Sequence, residues 1–392
     1  MGVQAMVQAA VLTGIDQPLE IRDDVEVESP RDGEVMVRMA ASGVCHSDLS
    51  MQNGTMMGPL PIVLGHEGAG VIEEVGPGVS DLRPGDHVVI SWVPQCGQCF
   101  FCQRDQGYLC EVASTALLSG GLLDGTTRFT SHGEPLRQMA ASGTFAETTV
   151  IPAIGAVKIP KDFDLKLAAL IGCGVLTGTG AAMNTARIRP GDTVAVVGCG
   201  GVGLNVIQGA RIAGAGEIIA IDMNETKLQM AKDFGATTSV NAAQADPVGQ
   251  VTGMTGQRGA DVAFEVIGLQ ETIDQTINMT RRGGQAILVG VPRMEVMVQL
   301  PAFFGVVFQE KTIKGCWYGS SNVQRDVPKL VDLYRKGGLK LDELVSRTIS
   351  LGQVNEAFDA MKTGEVARSV ISYGEQSSRQ AQAADQRPQP TA

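Results

Sequence analysis

The stretch TVAVVGCGGVGLNVIQGARIAGAGEIIAID, residues 193–222, decides the fold. An apolar strand, TVAVV, runs straight into Gly198-Cys199-Gly200-Gly201-Val202-Gly203; that loop opens a helical segment, LNVIQGARIAG, which leads to a second strand, EIIAID. G-x-G-x-x-G spacing alone is a weak signal, and Gly68-Ala-Gly70 shows why: it starts alike but has no third glycine and no following helix. Between strand and helix, each glycine has a task. Gly198 permits the tight turn, Gly200 lets backbone approach a pyrophosphate, and Gly203 lets helix and strand pack closely, so phosphates rest on the amides of the helix N-terminus. Asp222 lies 19 residues beyond Gly203, where a carboxylate takes both hydroxyls of an adenosine ribose and repels a 2′-phosphate. NAD is therefore expected in preference to NADP. Lys227 either reaches the same ribose or is a solvated helix residue.

Outward from this loop, strands and helical stretches alternate through ETKLQMAKDFG, ADVAFEVIG (260–268), a helix over 269–281 and GGQAILVGV (283–291). Such alternation predicts a parallel βαβ sheet, and it ends after about Lys314. The N-terminal part reads differently. MVQAAVL (6–12), GEVMVRMA (33–40), GHEGAGVIEEVGPGV (65–79) and DLRPGDHVVI (81–90) are short strands separated by Gly- and Pro-rich turns, which predicts a small barrel or folded sheet. Arg-Pro-Gly-Asp recurs at 83–86 and 189–192 without similarity around it, a reused turn. Residues 374–392 are polar and aperiodic and read as a disordered tail.

A chain of 392 residues is long enough for two domains with their own cores. A net charge of −11 has the wrong sign for neutralising phosphates, so neither nucleic acid nor an anionic membrane is an expected partner. No apolar run approaches the roughly 20 residues of a membrane-spanning helix, and no secretory signal opens the sequence. A soluble, cytoplasmic protein is expected, so its cysteines point to metal or redox chemistry rather than disulfides.

Four of the eight cysteines, Cys96, Cys99, Cys102 and Cys110, read C-x2-C-x2-C-x7-C. Four thiolates in one loop suit a closed tetrahedral zinc site with no water position; four reduced thiols, a labile disulfide pair and an iron–sulfur cluster are the alternatives. A second set is dispersed: Cys45 in SGVCHSD, His66 in GHE and Cys173 in GCGV. Two thiolates and an imidazole leave a fourth zinc position open, as catalytic sites do, although each residue taken singly suits a core equally well.

Together GHEGAGVIEEVGPGV, the four-cysteine loop, GCGV-x-TG, GCGGVG with Asp222, and DGTTRFTSHGEPL followed by GTFAETTVI resemble the zinc-containing medium-chain alcohol dehydrogenases, over residues 6–373. The resemblance implies an α/β protein: a GroES-like β-rich catalytic domain (1–174 and 316–373) enclosing a Rossmann doubly wound parallel-sheet domain (175–315), with the active site in the cleft. It implies two zinc ions per chain, a catalytic one on Cys45, His66 and Cys173 and a structural one on the loop cysteines. Asp48 would orient His66, Glu67 would sit behind the metal, and Ser47 would hydrogen-bond the alcohol and pass its proton outward while hydride goes to NAD. Thr177 and Val202 match residues that press on the nicotinamide, and His46 and Arg368 match residues near the cofactor phosphates.

Three departures bear on chemistry. Ser50 stands where the family's proton relay ends in a histidine, so proton release through water or His46 is expected, and Ser50→His should speed oxidation below neutral pH. The relatives that act on S-(hydroxymethyl)glutathione hold its charges with acidic residues before GHE and an arginine after the last loop cysteine; here those places hold Thr55-Met56-Met57 and Ser114. The expected pocket is apolar, lined by Met56, Met57, Trp92, Leu118 and Val291, and suits a primary alcohol with an aliphatic or aromatic tail. Glutathione-adduct oxidation, a permanently bound NAD, a zinc-ribbon adaptor and a non-catalytic zinc- and NAD-binding protein are the competing readings. A homodimer joined through its Rossmann sheets is expected, with a homotetramer as the alternative.

Overall fold

The computed structural model describes residues 3–363 and 368–374; the expected disordered tail, from 375 onward, lies outside the described residues. The residues that opened the sequence reading form the centre of a six-stranded parallel sheet ordered Thr238–Asn241, Glu217–Asp222, Thr193–Val197, Ala260–Glu265, Thr280–Leu288, Thr312–Gly315. Val194 to Val197 are all buried, as a central strand covered by helices on both faces requires. From this strand the chain turns at Gly198, φ +99°, into the helix Gly201–Ile212. A Cβ on Gly203 would run into the Gly198 carbonyl oxygen, so helix and strand approach as closely as the sequence predicted.

The N-terminal part forms a closed barrel of Val3–Leu12, Glu20–Glu28, Phe129–Ser131, Glu134–Gln138 and Ile62–Val63. Beside it lies a seven-stranded sheet in which the long strand Glu34–Val44 pairs with Glu67–Val75, with Thr148–Pro152 and with the C-terminal strand Arg368–Ser372. Both ends of the chain thus build one unit, and Ser369 pairs with Val44 next to Cys45.

The helical run Leu165–Thr185 joins the two halves. By length and mean hydropathy, 21 residues and 1.5, it is of the membrane-spanning kind, which the sequence was not expected to contain; 83% of that hydropathy window is nonetheless buried inside the protein. Its residues Leu170, Ile171 and Leu176 share one core with Val89 and Val157 of the seven-stranded sheet and with Val194, Val196 and Phe264 of the parallel one. The run is helical across position 174, where the sequence suggested a domain boundary. It also widens into a π-helical turn at Ile171–Val175, the turn that carries Cys173.

Candidate active site

Cys45 ends the Glu34–Val44 strand and caps the short helix His46–Gln52. Asp48 is fully buried and spends one oxygen on each of two donors. Its Oδ2 accepts from the Cys45 N–H at 2.9 Å and its Oδ1 lies 2.8 Å from His66 Nδ1. With Nδ1 committed, the imidazole keeps Nε2 for a ligand. His66 follows Gly65, whose φ of +90° brings the backbone against Phe145 and Thr144, where a Cβ would clash. Cys173 arrives from the π-helical turn, and Cys45, His66, Glu67 and Cys173 each bring a donor atom within 4.8 Å of all the others.

The electrostatics of this cluster follow from its dryness. Hydrogen bonding from Cys173, helped by Arg368 and His66 against the effect of burial, holds the Cys45 thiol well below its usual range, while the same pairing and burial push Cys173 well up. Burial raises the Asp48 carboxyl. Burial acts to lower His66, but Asp48 and Cys45 outweigh it and hold the imidazole well above its ordinary value. Burial lifts Glu67 to about 8 despite Arg368, and its Oε2 has no partner among the described residues. Two thiols, one imidazole nitrogen and a carboxylate oxygen within 4.8 Å of one another, all on buried residues, fit a zinc ion.

Cys96, Cys99, Cys102 and Cys110 also place their sulfurs within 4.8 Å of one another. The Cys96–Cys102 and Cys99–Cys110 sulfur separations of 3.9 and 4.0 Å match the edge of about 3.8 Å that four Zn–S bonds produce around a single ion. All eight cysteines are free, so the labile-disulfide alternative is not what this loop adopts. Backbone N–H groups of Gln98 and Cys99 point at Cys96 Sγ. The backbone of Cys102 and the neighbouring thiols draw Cys99 down to about 6 against burial, which suits a thiolate ligand.

At the glycine loop, a Cβ on Gly200 would meet nothing within 4 Å, which leaves open space above the N-terminus of the Gly201–Ile212 helix. Asp222 is already held in place: Oδ2 accepts from the Cys199 N–H at 2.9 Å and Oδ1 from the Asn224 N–H at 3.0 Å. Cys199 itself is buried, with its thiol turned to the Ile221 carbonyl. Lys227 lies half-buried in the helix Glu225–Asp233, next to this strand end. Gly178, which follows Thr177, lies against the Val202 carbonyl, where an added Cβ would clash.

Arg368 is turned inward. Its Nη2 donates to Glu67 Oε1 at 2.9 Å and its Nη1 to the Val44 carbonyl at 3.3 Å, while its Cδ lies 3.0 Å from where a Gly201 Cβ would be. One buried guanidinium therefore touches both the metal cluster and the loop for phosphates. His46 is exposed and Ser47 half-exposed, with Ser47 Oγ 4.0 Å from Cys45 Sγ. Ser50 is only 5% exposed, whereas His46 is the member of this helix turn that reaches water.

The expected pocket residues are scattered by comparison. Trp92 stands edge-on to His66, with ring centroids 6.3 Å apart, whereas Met56 packs against the core that includes Val37, Met39 and Ile90 of the seven-stranded sheet. Met57 and Leu118 are 88% and 81% exposed and form no enclosed wall, and Val291 is 43% exposed. Sequence reasoning missed two aromatic partners of Trp92. Trp317 packs at 5.1 Å and Tyr318 at 4.5 Å, and the Tyr318 hydroxyl donates to the Gly172 carbonyl next to Cys173. Cys316, unassigned from sequence, is a buried partner of the Thr185 hydroxyl.

The family model described as "Alcohol dehydrogenase GroES-like domain" matches residues 31–161, and the one described as "Zinc-binding dehydrogenase" matches 201–336. The chain is 40% identical to the NDMA-dependent alcohol dehydrogenase of Amycolatopsis methanolica over 369 residues, 93% of this chain and 98% of that one. It is 39% identical to an S-(hydroxymethyl)glutathione dehydrogenase of Escherichia coli O1:K1 / APEC, over 93% of this chain and 99% of the relative. Among solved structures, the benzyl alcohol dehydrogenase of Acinetobacter calcoaceticus superposes with a TM-score of 0.88 at 31% identity, covering 93% of this chain and 99% of that one. With these matches and a donor set that fits zinc, the chain belongs to the zinc-containing medium-chain alcohol dehydrogenases and is an oxidoreductase.

Proposed function

We propose that the protein oxidises primary alcohols with aliphatic or aromatic tails to aldehydes, passing the hydride to NAD. The observation that carries the reading is the meeting of Cys45, His66 and Cys173 in one buried cluster that Arg368 links to the glycine loop. Zinc bound there supplies Lewis acidity that makes an alcohol easier to deprotonate near neutral pH. The chain's own residues do the rest. Asp48 keeps the His66 proton on Nδ1, Ser47 takes the hydroxyl proton of the alcohol and hands it toward exposed His46, and Asp222 receives the adenosine ribose, which favours NAD over NADP. The Trp92 and Trp317 rings, edge to face beside His66, offer apolar contacts to an aromatic or extended tail. In domain terms, residues 1–174 and 316–373 form the catalytic part and 175–315 the NAD-binding part.

Against glutathione-adduct oxidation stands the lack of charge at the matching places: Thr55-Met56-Met57 carries none, and the Ser114 hydroxyl is bonded to the Cys110 carbonyl within its own helix. The reading in which NAD never leaves is favoured by one relative, which is named as NDMA-dependent. The protein acts as a homodimer, in a reducing, cytoplasmic setting that suits its eight free thiols.

The test is elemental analysis combined with a panel of alcohols at fixed NAD. Two zinc ions per chain and NADH formation with benzyl alcohol or hexanol are expected. Turnover that appears only with an artificial electron acceptor selects the bound-NAD reading, and faster turnover of S-(hydroxymethyl)glutathione than of either alcohol overturns the substrate assignment.

A further inference from the structure

Tyr318 has a left-handed backbone, φ +51°, and so does Ser320, φ +48°, with Gly319 at φ +64° between them. Such a φ is rare for a bulky side chain, and a run that keeps it must be held by its surroundings. Two elements hold this one. From the helical run Leu165–Thr185, Asn184 Nδ2 donates to the Gly319 carbonyl at 3.3 Å, and the Thr185 hydroxyl lies 2.7 Å from Ser320 Oγ. From the four-cysteine loop, Gln95 Nε2 donates to the Ser321 carbonyl at 2.9 Å. Asp105 of the same loop accepts from Asn322 Nδ2 at 3.2 Å and from Arg325 Nη1 at 3.0 Å.

What this conformation achieves is the placement of one hydroxyl. Tyr318 is 2% exposed, and its hydroxyl donates to the Gly172 carbonyl at 2.5 Å, with Ser91 Oγ 3.3 Å away. The ring itself packs on Trp92 with centroids 4.5 Å apart, which a phenyl ring would do as well; only the hydroxyl reaches the metal-ligand turn. Gly172 precedes Cys173 in the π-helical turn Ile171–Val175. Such a turn departs from the regular helix, so where it presents its side chains depends on what fastens it. Two fastenings come from the large sheet: the Gly174 N–H donates to Glu67 Oε1 at 3.1 Å, and Gly172 lies so close to the Ile90 carbonyl oxygen that an added Cβ would stand 2.7 Å from it. Tyr318 adds one from the C-terminal part of the chain, on the carbonyl directly before the ligand residue.

We propose that Tyr318 is a positioning residue for the metal site: its hydroxyl fixes the Gly172 carbonyl and so sets where Cys173 presents its sulfur to Cys45 and His66. This inference rests on the reading of those three residues as zinc ligands. Without the hydroxyl a buried carbonyl loses a donor and the turn spends part of its time out of register, which loosens the ion held there. The four-cysteine site draws all its ligands from its own loop and is left as it was.

Zinc-loaded wild type and Tyr318→Phe are titrated with a chelator, and both are also prepared with cobalt(II), whose visible absorption follows the arrangement of its ligands. Tyr318→Phe is expected to release the ion at Cys45, His66 and Cys173 at about 3- to 10-fold lower chelator concentration, with the four-cysteine ion released as in wild type. The cobalt band of the first site should shift and that of the four-cysteine site should not. A merely structural hydroxyl would lower the melting temperature of metal-free and metal-loaded protein alike and leave the cobalt spectrum unmoved, and that result overturns the proposal. So does equal loss of both ions. Should Tyr318→Phe fail to fold, Asn184→Ala decides the matter, because it loosens the Tyr318–Ser320 run without touching either set of ligands. It should give the same one-site loss at about 2- to 3-fold, and wild-type release from it then overturns the proposal. A wild type that holds one ion per chain removes the zinc-ligand reading itself, whereas a wild type that holds two, with Tyr318→Phe indistinguishable from it, removes only the role of Tyr318.

Discussion

Asp48 shows how much of a metal site rests on one residue that touches no metal. Its two oxygens serve two different donors, the Cys45 N–H and His66 Nδ1–H, and both partners are ligand residues. An asparagine has one oxygen and one NH2 group, so Asp48→Asn must leave one of these donors facing another donor. Outer hydrogen bonds of this kind are worth about 10- to 100-fold in metal affinity. Asp48→Asn is therefore expected to lose the zinc at Cys45, His66 and Cys173 to a competing chelator at about 10- to 100-fold lower chelator concentration, while the four-cysteine zinc stays. Retention of both ions at wild-type chelator concentrations would show that the ligands are oriented by packing alone. Asp48 was legible in the sequence because it sits three residues from Cys45 in a recognisable motif. Trp317 was not, since it meets Trp92 across 225 positions of chain and no local pattern announces an edge-to-face pair.

At the scale of an element, the segment 124–128 gives a physical reason for a stretch that the sequence offered only as a family likeness. Arg128 is completely buried and its guanidinium grips Glu34 with two bonds, Nε to Oε2 at 2.8 Å and Nη2 to Oε1 at 2.5 Å, tying the barrel to the first strand of the large sheet. Asp124 adds a third bond at 2.9 Å from the loop side. Replacing Glu34 by Gln leaves the buried cation with only the outer carboxylate, and breaking a buried pair from one side costs about 3–5 kcal/mol. Because Asp124 remains, the lower end of that range is expected, read as a fall in unfolding midpoint with both zinc ions kept. A midpoint within 1 °C or so of wild type would mean that Asp124 alone suffices. The pH dependence has a definite sign. Burial acts to raise Asp124, but the Thr126 hydroxyl and N–H together with Arg128 outweigh it and bring the carboxyl down to about 2. Its folded pKa is thus below the unfolded one, so its contribution is present above about pH 4 and is lost as pH falls toward 2. With 46% of the side chain exposed the effect is screened and small, and Asp124→Asn should differ from wild type only above that acid window.

For the whole molecule, the parallel sheet was legible because its signals are local: apolar strands, glycines at fixed spacing and an acid at a strand end. The barrel partnerships were not, because pairings such as Val25 with Ser131 join distant stretches and leave no periodicity to read, and the return of Arg368–Ser372 to the strand Glu34–Val44 came only with the family resemblance. The inward turn of Arg368 toward Glu67 was hidden for the same reason. One surface now points beyond the single chain. The strand Thr312–Gly315 is the edge of the parallel sheet, and it is exposed along almost its whole length. In the segment that leads into it, Met294, Phe304 and Val307 are 92%, 67% and 69% exposed. An unpaired edge beside apolar side chains is a template for a partner, and a second copy related by a two-fold axis satisfies both at once by pairing edge to edge. In that arrangement Phe304 and Val307 are buried in the dimer, so aspartates at both positions place two carboxylates per chain in a desolvated seam, where an unpaired charge is strongly unfavourable. Light scattering of the wild type is expected to give twice the 41.1 kDa chain mass, and the Phe304→Asp, Val307→Asp double variant a mass near that of one chain. Since neither residue is near the metal cluster in sequence or in the core it shares, both zinc ions should be retained, which separates loss of the dimer from loss of the fold. A double variant that remains a dimer would mean that the copies meet through some other face.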